Sequence, residues 1–178
     1  DPGHGGHRAK PVIVDRYSAG ARVNHWITAA SLVLLALSGL ALFTPALYFL
    51  TGLFGGGATT RMIHPWIGVV LFVSFMGLFF RFYRLNLWER NDNVWLSRLR
   101  DVLANDEGKL PEVGKYNAGQ KMVFWSMSLL ILVLITSGVV IWDQYFSNYF
   151  TIGQKRIAVL IHSGTAIVAI CVWIVHVY

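Results

Sequence analysis

Acidic side chains are scarce in this 178-residue chain, and charge of either sign is confined to a few places. Asp and Glu together number 9 and Lys and Arg 15, so 13% of residues are charged against 55% hydrophobic, with a mean hydropathy of +0.53. That balance excludes an ordinary water-soluble globular domain. Cysteine occurs once, at Cys171, which excludes an internal disulfide and a cysteine-ligated iron–sulfur cluster. The net charge of +6 invites a nucleic-acid reading, but no RNA- or DNA-binding motif accompanies it.

What the chain has instead is four charge-free runs: Val23 to Thr60, Met62 to Phe80, Met122 to Trp142 and Ile157 to Tyr178. Each can hold the roughly 20 apolar residues that a helix needs to cross a bilayer core. The predicted fold is an all-α membrane protein, a bundle of four transmembrane helices at about 23–43, 61–83, 118–142 and 154–178. Residues 1–22, rich in glycine and basic residues, read as a solvated tail, His4 and His7 included, and residues 23–178 as one domain. Three glycines at 55–57 predict a loop between the first two helices. His64-Pro65 is placed in the first turn of the second, where a missing N–H costs little. Between the second and third helices, Val94, Trp95, Leu99, Val102 and Leu103 recur at helical spacing, which predicts a short amphipathic helix on the membrane surface or against a partner. The tail and the segment from Arg81 to Lys121 hold twelve Lys and Arg, whereas the opposite side of a four-span topology holds only Arg61, Lys155 and Arg156. This asymmetry predicts both termini and the long loop on the cytoplasmic side.

Histidines stand out against this apolar background. His162 and His176 lie in the last run, 14 residues apart, so a helix presents both within roughly 40° of one face and about 21 Å apart along its axis. His25 begins the first helix at the cytoplasmic side, level with His176, and His64 begins the second at the opposite side, level with His162. Polar groups at such depth are costly and point to function. Paired imidazoles are axial ligands of haem iron, and helix bundles hold such cofactors between facing helices. Two haem b groups are therefore predicted, one on His25 and His176 and one on His64 and His162. Covalent c-type attachment is excluded because Cys-x-x-Cys-His is absent. Zinc fits poorly, since each pair offers two nitrogens and no thiolate or carboxylate. Gly39, Gly77, Gly138 and Gly164 are candidates for positions where a flat macrocycle approaches a helix, although glycine also serves membrane helix packing.

The motifs RVNHW (22–26), IHPWIG (63–68), KYNAGQK (115–121), IHSG (161–164) and the terminal IVHVY together resemble the cytochrome b (gamma) subunit of membrane-bound, quinone-linked formate dehydrogenase of the formate dehydrogenase-N type. The resemblance covers about Tyr17 to Tyr178. It implies the same two haem pairs and a quinone site, for menaquinone or ubiquinone, formed by Asn117, Gly119, Gln120 and His176 beside the cytoplasmic-side haem. It implies as partners an iron–sulfur (beta) subunit and a molybdenum or tungsten catalytic (alpha) subunit on the periplasmic side of a bacterial inner membrane, with formate oxidised outside this chain. RVNHW-like and IHSG-like motifs also occur in cytochrome b subunits of nickel–iron hydrogenases and thiosulfate-type reductases. From the residues alone Asn117 is equally a helix N-cap. A proton-relaying transport bundle and a passive membrane anchor are the readings from other classes; the first lacks an intramembrane Asp or Glu to complete a relay.

Overall fold

The structure, a computed structural model, describes residues 17–100 and 116–178. Residues 1–16 of the predicted tail, His4 and His7 included, and Val102 and Leu103 of the predicted amphipathic helix lie outside the described residues, and α1 begins at Ala19, inside the predicted tail. Helices α1 (Ala19–Phe43), α2 (Gly57–Phe82), α3 (Arg90–Ser97), α4 (Ala118–Val140), α5 (Asp143–Phe146) and α6 (Ile152–Val177) follow in order, and no strand occurs among the described residues. Helices α1, α2, α4 and α6 are each long and apolar enough to cross a membrane.

Local chemistry sets the helix ends. Ser18, Asn117 and Thr151 cap α1, α4 and α6, their side chains accepting from the backbone N–H three residues on. At the last two, Gln120 and Gln154 return the bond to the cap residue and complete a capping box. The chain departs from the predicted boundaries at the α1–α2 connection. Pro45–Phe54 is a 3₁₀ helix rather than a loop, started by proline at its first position, and only Gly55 and Gly56 turn the chain, with φ of 87° and 101°. Helix α2 then begins at Gly57, so Pro65 sits inside it rather than in the first turn and leaves the Arg61 carbonyl without its usual helical N–H.

Two helix hairpins make up the bundle. Helix α1 packs along α2 and α4 along α6, while the two hairpins touch each other little. The α1 face turned to α2 carries Ala21, Thr28, Ser31, Ser38 and Ala41, all buried and spaced 7 and 3 residues apart in turn. Small residues in that pattern let two membrane helices approach closely. Near the start of α1 the contact is also polar: Asn24 Nδ2 donates to the Ser74 carbonyl at 2.6 Å, and the Thr28 and Ser74 hydroxyls are 2.7 Å apart. Aromatic rings bridge the hairpins at both ends. Phe79 stacks on Phe124 with centroids 5.6 Å apart, and Trp66 meets Trp142 edge-on at 5.1 Å. Outward-facing Val73, Leu129, Leu132 and Leu160 are at least half exposed, the surface that lipid requires.

Between the hairpins and their aromatic bridges lies a cavity of about 890 Å³. It is lined mostly by aliphatic side chains, with His64, His162, Arg61 and Asp143 among the polar exceptions.

Candidate functional site

His64 on α2 and His162 on α6 face each other across this cavity, at the end where the hairpin loops lie, with ring centroids 6.3 Å apart. Each ring is held from behind by the partner helix of its own hairpin. His64 Nδ1 is 2.6 Å from Ser38 Oγ on α1. His162 Nδ1 is 2.9 Å from Ser137 Oγ and 3.1 Å from the Leu134 carbonyl, both on α4. These contacts favour one tautomer of each ring. A carbonyl only accepts, so His162 Nδ1 carries the hydrogen. Ser137 gives its hydroxyl hydrogen to the Val133 carbonyl at 2.7 Å, and Ser38 has the Leu35 carbonyl within 3.3 Å, so each oxygen is available as an acceptor for the ring. Both imidazoles therefore keep the Nε2 lone pair for a ligand.

The residue after each serine is a glycine. A Cβ at Gly39 would sit 3.2 Å from His64 Cε1, and one at Gly138 would sit 3.3 Å from His162 Cε1. Both are tighter than ordinary contact, so a side chain there would require the ring to give by a few tenths of an ångström. The other two candidate glycines behave differently. Gly77 meets the Asn24 carboxamide, which a Cβ would approach to 3.1 Å, so its bare face serves the α1–α2 contact. Gly164 faces open space.

At the opposite end, where the described chain starts and finishes, His25 on α1 and His176 on α6 bring their ring centroids to 6.4 Å. Both are exposed, and no hydrogen bond anchors either ring among the described residues. Helix α6 thus contributes one imidazole to each pair.

The donor set can be tested against a cofactor. Among the described residues no group of three or more His, Cys, Asp or Glu side chains comes together, so each pair supplies two nitrogens and no more. A metal held this way takes its remaining ligands from another source, as a porphyrin iron with two axial histidines does. Two imidazoles on opposite sides of one ion, at about 2.0–2.1 Å through nitrogen plus roughly 1.2 Å to each ring centre, have centres about 6.4 Å apart. Both observed separations match this value. The cavity around His64 and His162 falls within the roughly 300–1,000 Å³ of typical cofactor sites. The residues fit haem.

The residues that the resemblance assigns to quinone gather at the start of α4. Asn117 and Gln120 cap each other through Asn117 Oδ1 to the Gln120 N–H (2.8 Å) and Gln120 Oε1 to the Asn117 N–H (3.0 Å). Their side-chain NH₂ groups are left to donate elsewhere. Gly119 makes room for Trp95 of α3, whose Cη2 would lie 2.9 Å from a Cβ there. Beside them is a pair that the sequence did not announce: Lys121 Nζ and Asp92 Oδ2 are 2.7 Å apart, each residue 1% exposed. Asp92 Oδ2 also accepts from the Glu89 N–H at the start of α3. The buried face of α3 is thus Asp92 and Trp95, while Val94 and Leu99, placed on its apolar face by periodicity, are exposed.

Known proteins resemble this chain over nearly all its length. Residues 16–178 match the family described as prokaryotic cytochrome b561. The formate dehydrogenase cytochrome b556(fdo) subunit of Escherichia coli K12 is 41% identical over 163 residues, 92% of this chain and 76% of that protein. The nitrate-inducible formate dehydrogenase cytochrome b556(Fdn) subunit of the same organism is 41% identical over 157 residues, 88% of this chain and 72% of that one. A formate dehydrogenase cytochrome b556 subunit of Haemophilus influenzae is 36% identical over 163 residues, covering 92% and 68%. The four apolar spans, the facing imidazoles and these likenesses agree, and the chain belongs to the prokaryotic cytochrome b561 family, among relatives that are cytochrome b556 subunits of formate dehydrogenase.

Proposed function

We propose that this chain is the membrane electron-transfer subunit of a formate dehydrogenase complex, carrying electrons from a periplasmic formate-oxidising module to quinone. The observation that carries the reading is geometric: two imidazole pairs, each at the separation that one metal ion requires, stand at opposite ends of a bundle spanning the membrane. His64 and His162 would hold the haem nearer the partners, and His25 and His176 the haem nearer the cytoplasm. Haem b in such sites supplies one-electron chemistry.

The chain's own contribution is ligation, spacing and a dry surrounding. Mostly aliphatic side chains line the His64–His162 site, and Ser38 and Ser137 would aim the two rings. Asn117 and Gln120 would donate amide hydrogens to a quinone carbonyl at the far end, with Gly119 and His176 completing the site. The excess of twelve cations over three supports cytoplasmic termini, so protons taken up with electrons at that end would come from the cytoplasmic side. Electrons moving inward across the bilayer store about 2.3 kcal/mol per charge per 100 mV. The partners would be an iron–sulfur subunit, which delivers electrons at the periplasmic face, and the catalytic subunit that oxidises formate at molybdenum or tungsten.

An Asn117→Ala variant of the assembled complex tests the quinone end. Both haems should still be reduced by formate, and added quinone should reoxidise them about tenfold more slowly, the rate equivalent of one lost hydrogen bond. The same change should cost α4 about 1 kcal/mol through its lost cap. Reoxidation at the wild-type rate would remove Asn117 from the quinone site.

A further inference from the structure

We propose that Ser38 and Ser137 are positioning residues that set the redox potential of the centre held by His64 and His162, and that Ser38 carries the larger share. The inference rests on the reading that this pair ligates haem iron. It goes beyond that reading in assigning a function to two hydroxyls that touch neither iron nor substrate.

The unequal share follows from the acceptors available to each ring. Among the described residues His64 Nδ1 has one, Ser38 Oγ, at 2.6 Å. Ser38 is fully buried, so no solvent competes for the bond. His162 Nδ1 has two, Ser137 Oγ at 2.9 Å and the Leu134 carbonyl at 3.1 Å. Remove Ser137 and the carbonyl still accepts. Remove Ser38 and a buried N–H is left unpaired on a ring free to rotate.

An imidazole whose Nδ1–H donates to a good acceptor is the more basic ligand, and a more basic axial ligand stabilises the oxidised metal. In a low-dielectric interior the effect is stronger than in water. Each serine therefore holds this centre's potential down, and losing it should raise the potential. His25 and His176 have no such anchor among the described residues, so the other centre should not respond.

Spectroelectrochemical titration of the assembled complex tests this. Wild type should show two b-type transitions, and the one absent from His162→Ala identifies the centre concerned. In Ser38→Ala that transition should move to higher potential, by about a tenfold rise in the reduced-to-oxidised ratio at fixed potential, or about 59 mV for one electron. Ser38→Cys, similar in shape with a weaker acceptor, should fall between serine and alanine. Ser137→Ala should move the transition upward by less than Ser38→Ala. If Ser38→Ala loses the haem altogether, Ser38→Cys carries the readout, and its upward shift is the expected result. An unmoved transition in Ser38→Cys and Ser38→Ala overturns the proposal, as does a Ser137→Ala shift equal to or larger than that of Ser38→Ala, or an equal shift of the second transition. A wild type with no transition that depends on His162 overturns the haem reading itself and the proposal with it.

Discussion

Replacing His162 with alanine is expected to remove one of two haems and nearly all electron flow to quinone, while leaving formate oxidation intact when an artificial dye accepts electrons from the partner subunits. In the proposed reading His162 would supply one of two protein ligands, the two that the described residues offer at its site. The nearest substitute on its own helix, His176, lies about 21 Å away along the axis and is engaged at the other end of the bundle. Among the described residues no Cys, Asp or Glu groups with the pair as a third ligand. The site is also preformed around this ring: Ser137 and the Leu134 carbonyl fix its tautomer, and Gly138 leaves room for its edge. Alanine would leave these features without a ligand to organise. The reduced-minus-oxidised spectrum of the variant should show half of the b-type absorbance. Retention of both haems would mean that the iron is held by other residues.

Asp92→Ala is expected to be the most destabilising single change outside the histidine pairs. Lys121 would be left charged, buried and without its partner, a situation that costs about 3–5 kcal/mol. The same change removes the acceptor of the Glu89 N–H and with it one arm of the capping box of α3. Because α3 meets α4 through Asp92 on Lys121 and Trp95 on Gly119, the loss should free α3 from the start of α4. Thermal unfolding in detergent should register it as a large drop in midpoint. The double variant Asp92→Leu, Lys121→Met removes both charges and should recover all but about 1–2 kcal/mol of the loss, since an apolar pair of similar volume replaces a buried ion pair at little cost. A single variant as stable as wild type, or a double as unstable as the single, would show that the pair does not clamp the two helices.

The four spans could be read from the sequence because a bilayer imposes a length and a composition that few other structures share. The histidine pairing was legible for the same reason: depth in a membrane is a linear coordinate, so residue counting places His25 opposite His176 and His64 opposite His162, and the rings indeed face one another. The supporting residues were not legible. Ser38 and Ser137 look like any small hydroxyl in a membrane helix, and only their repeat could have drawn attention: Ser-Gly occurs 26 residues before His64 and 25 before His162. The Asp92–Lys121 pair joins residues 29 apart through the docking of a surface helix, which periodicity does not report. Periodicity pointed instead to Val94 and Leu99, because it ranks residues by hydropathy and cannot see that one capping carboxylate will also meet a buried ammonium. Gly77 follows the packing reading, since its bare face meets Asn24, and Pro65 falls inside α2 because that helix starts earlier than the last charged residue before the apolar run.

The central claim is that paired imidazoles hold haem at two levels of one chain. A pyridine haemochrome assay on the purified complex, referred to the amount of this chain, tests it most directly. The arrangement predicts two haem b per chain, falling to one when His64 and His162 are both replaced; a wild-type value of one or none, or a value that the double replacement leaves unchanged, would contradict it.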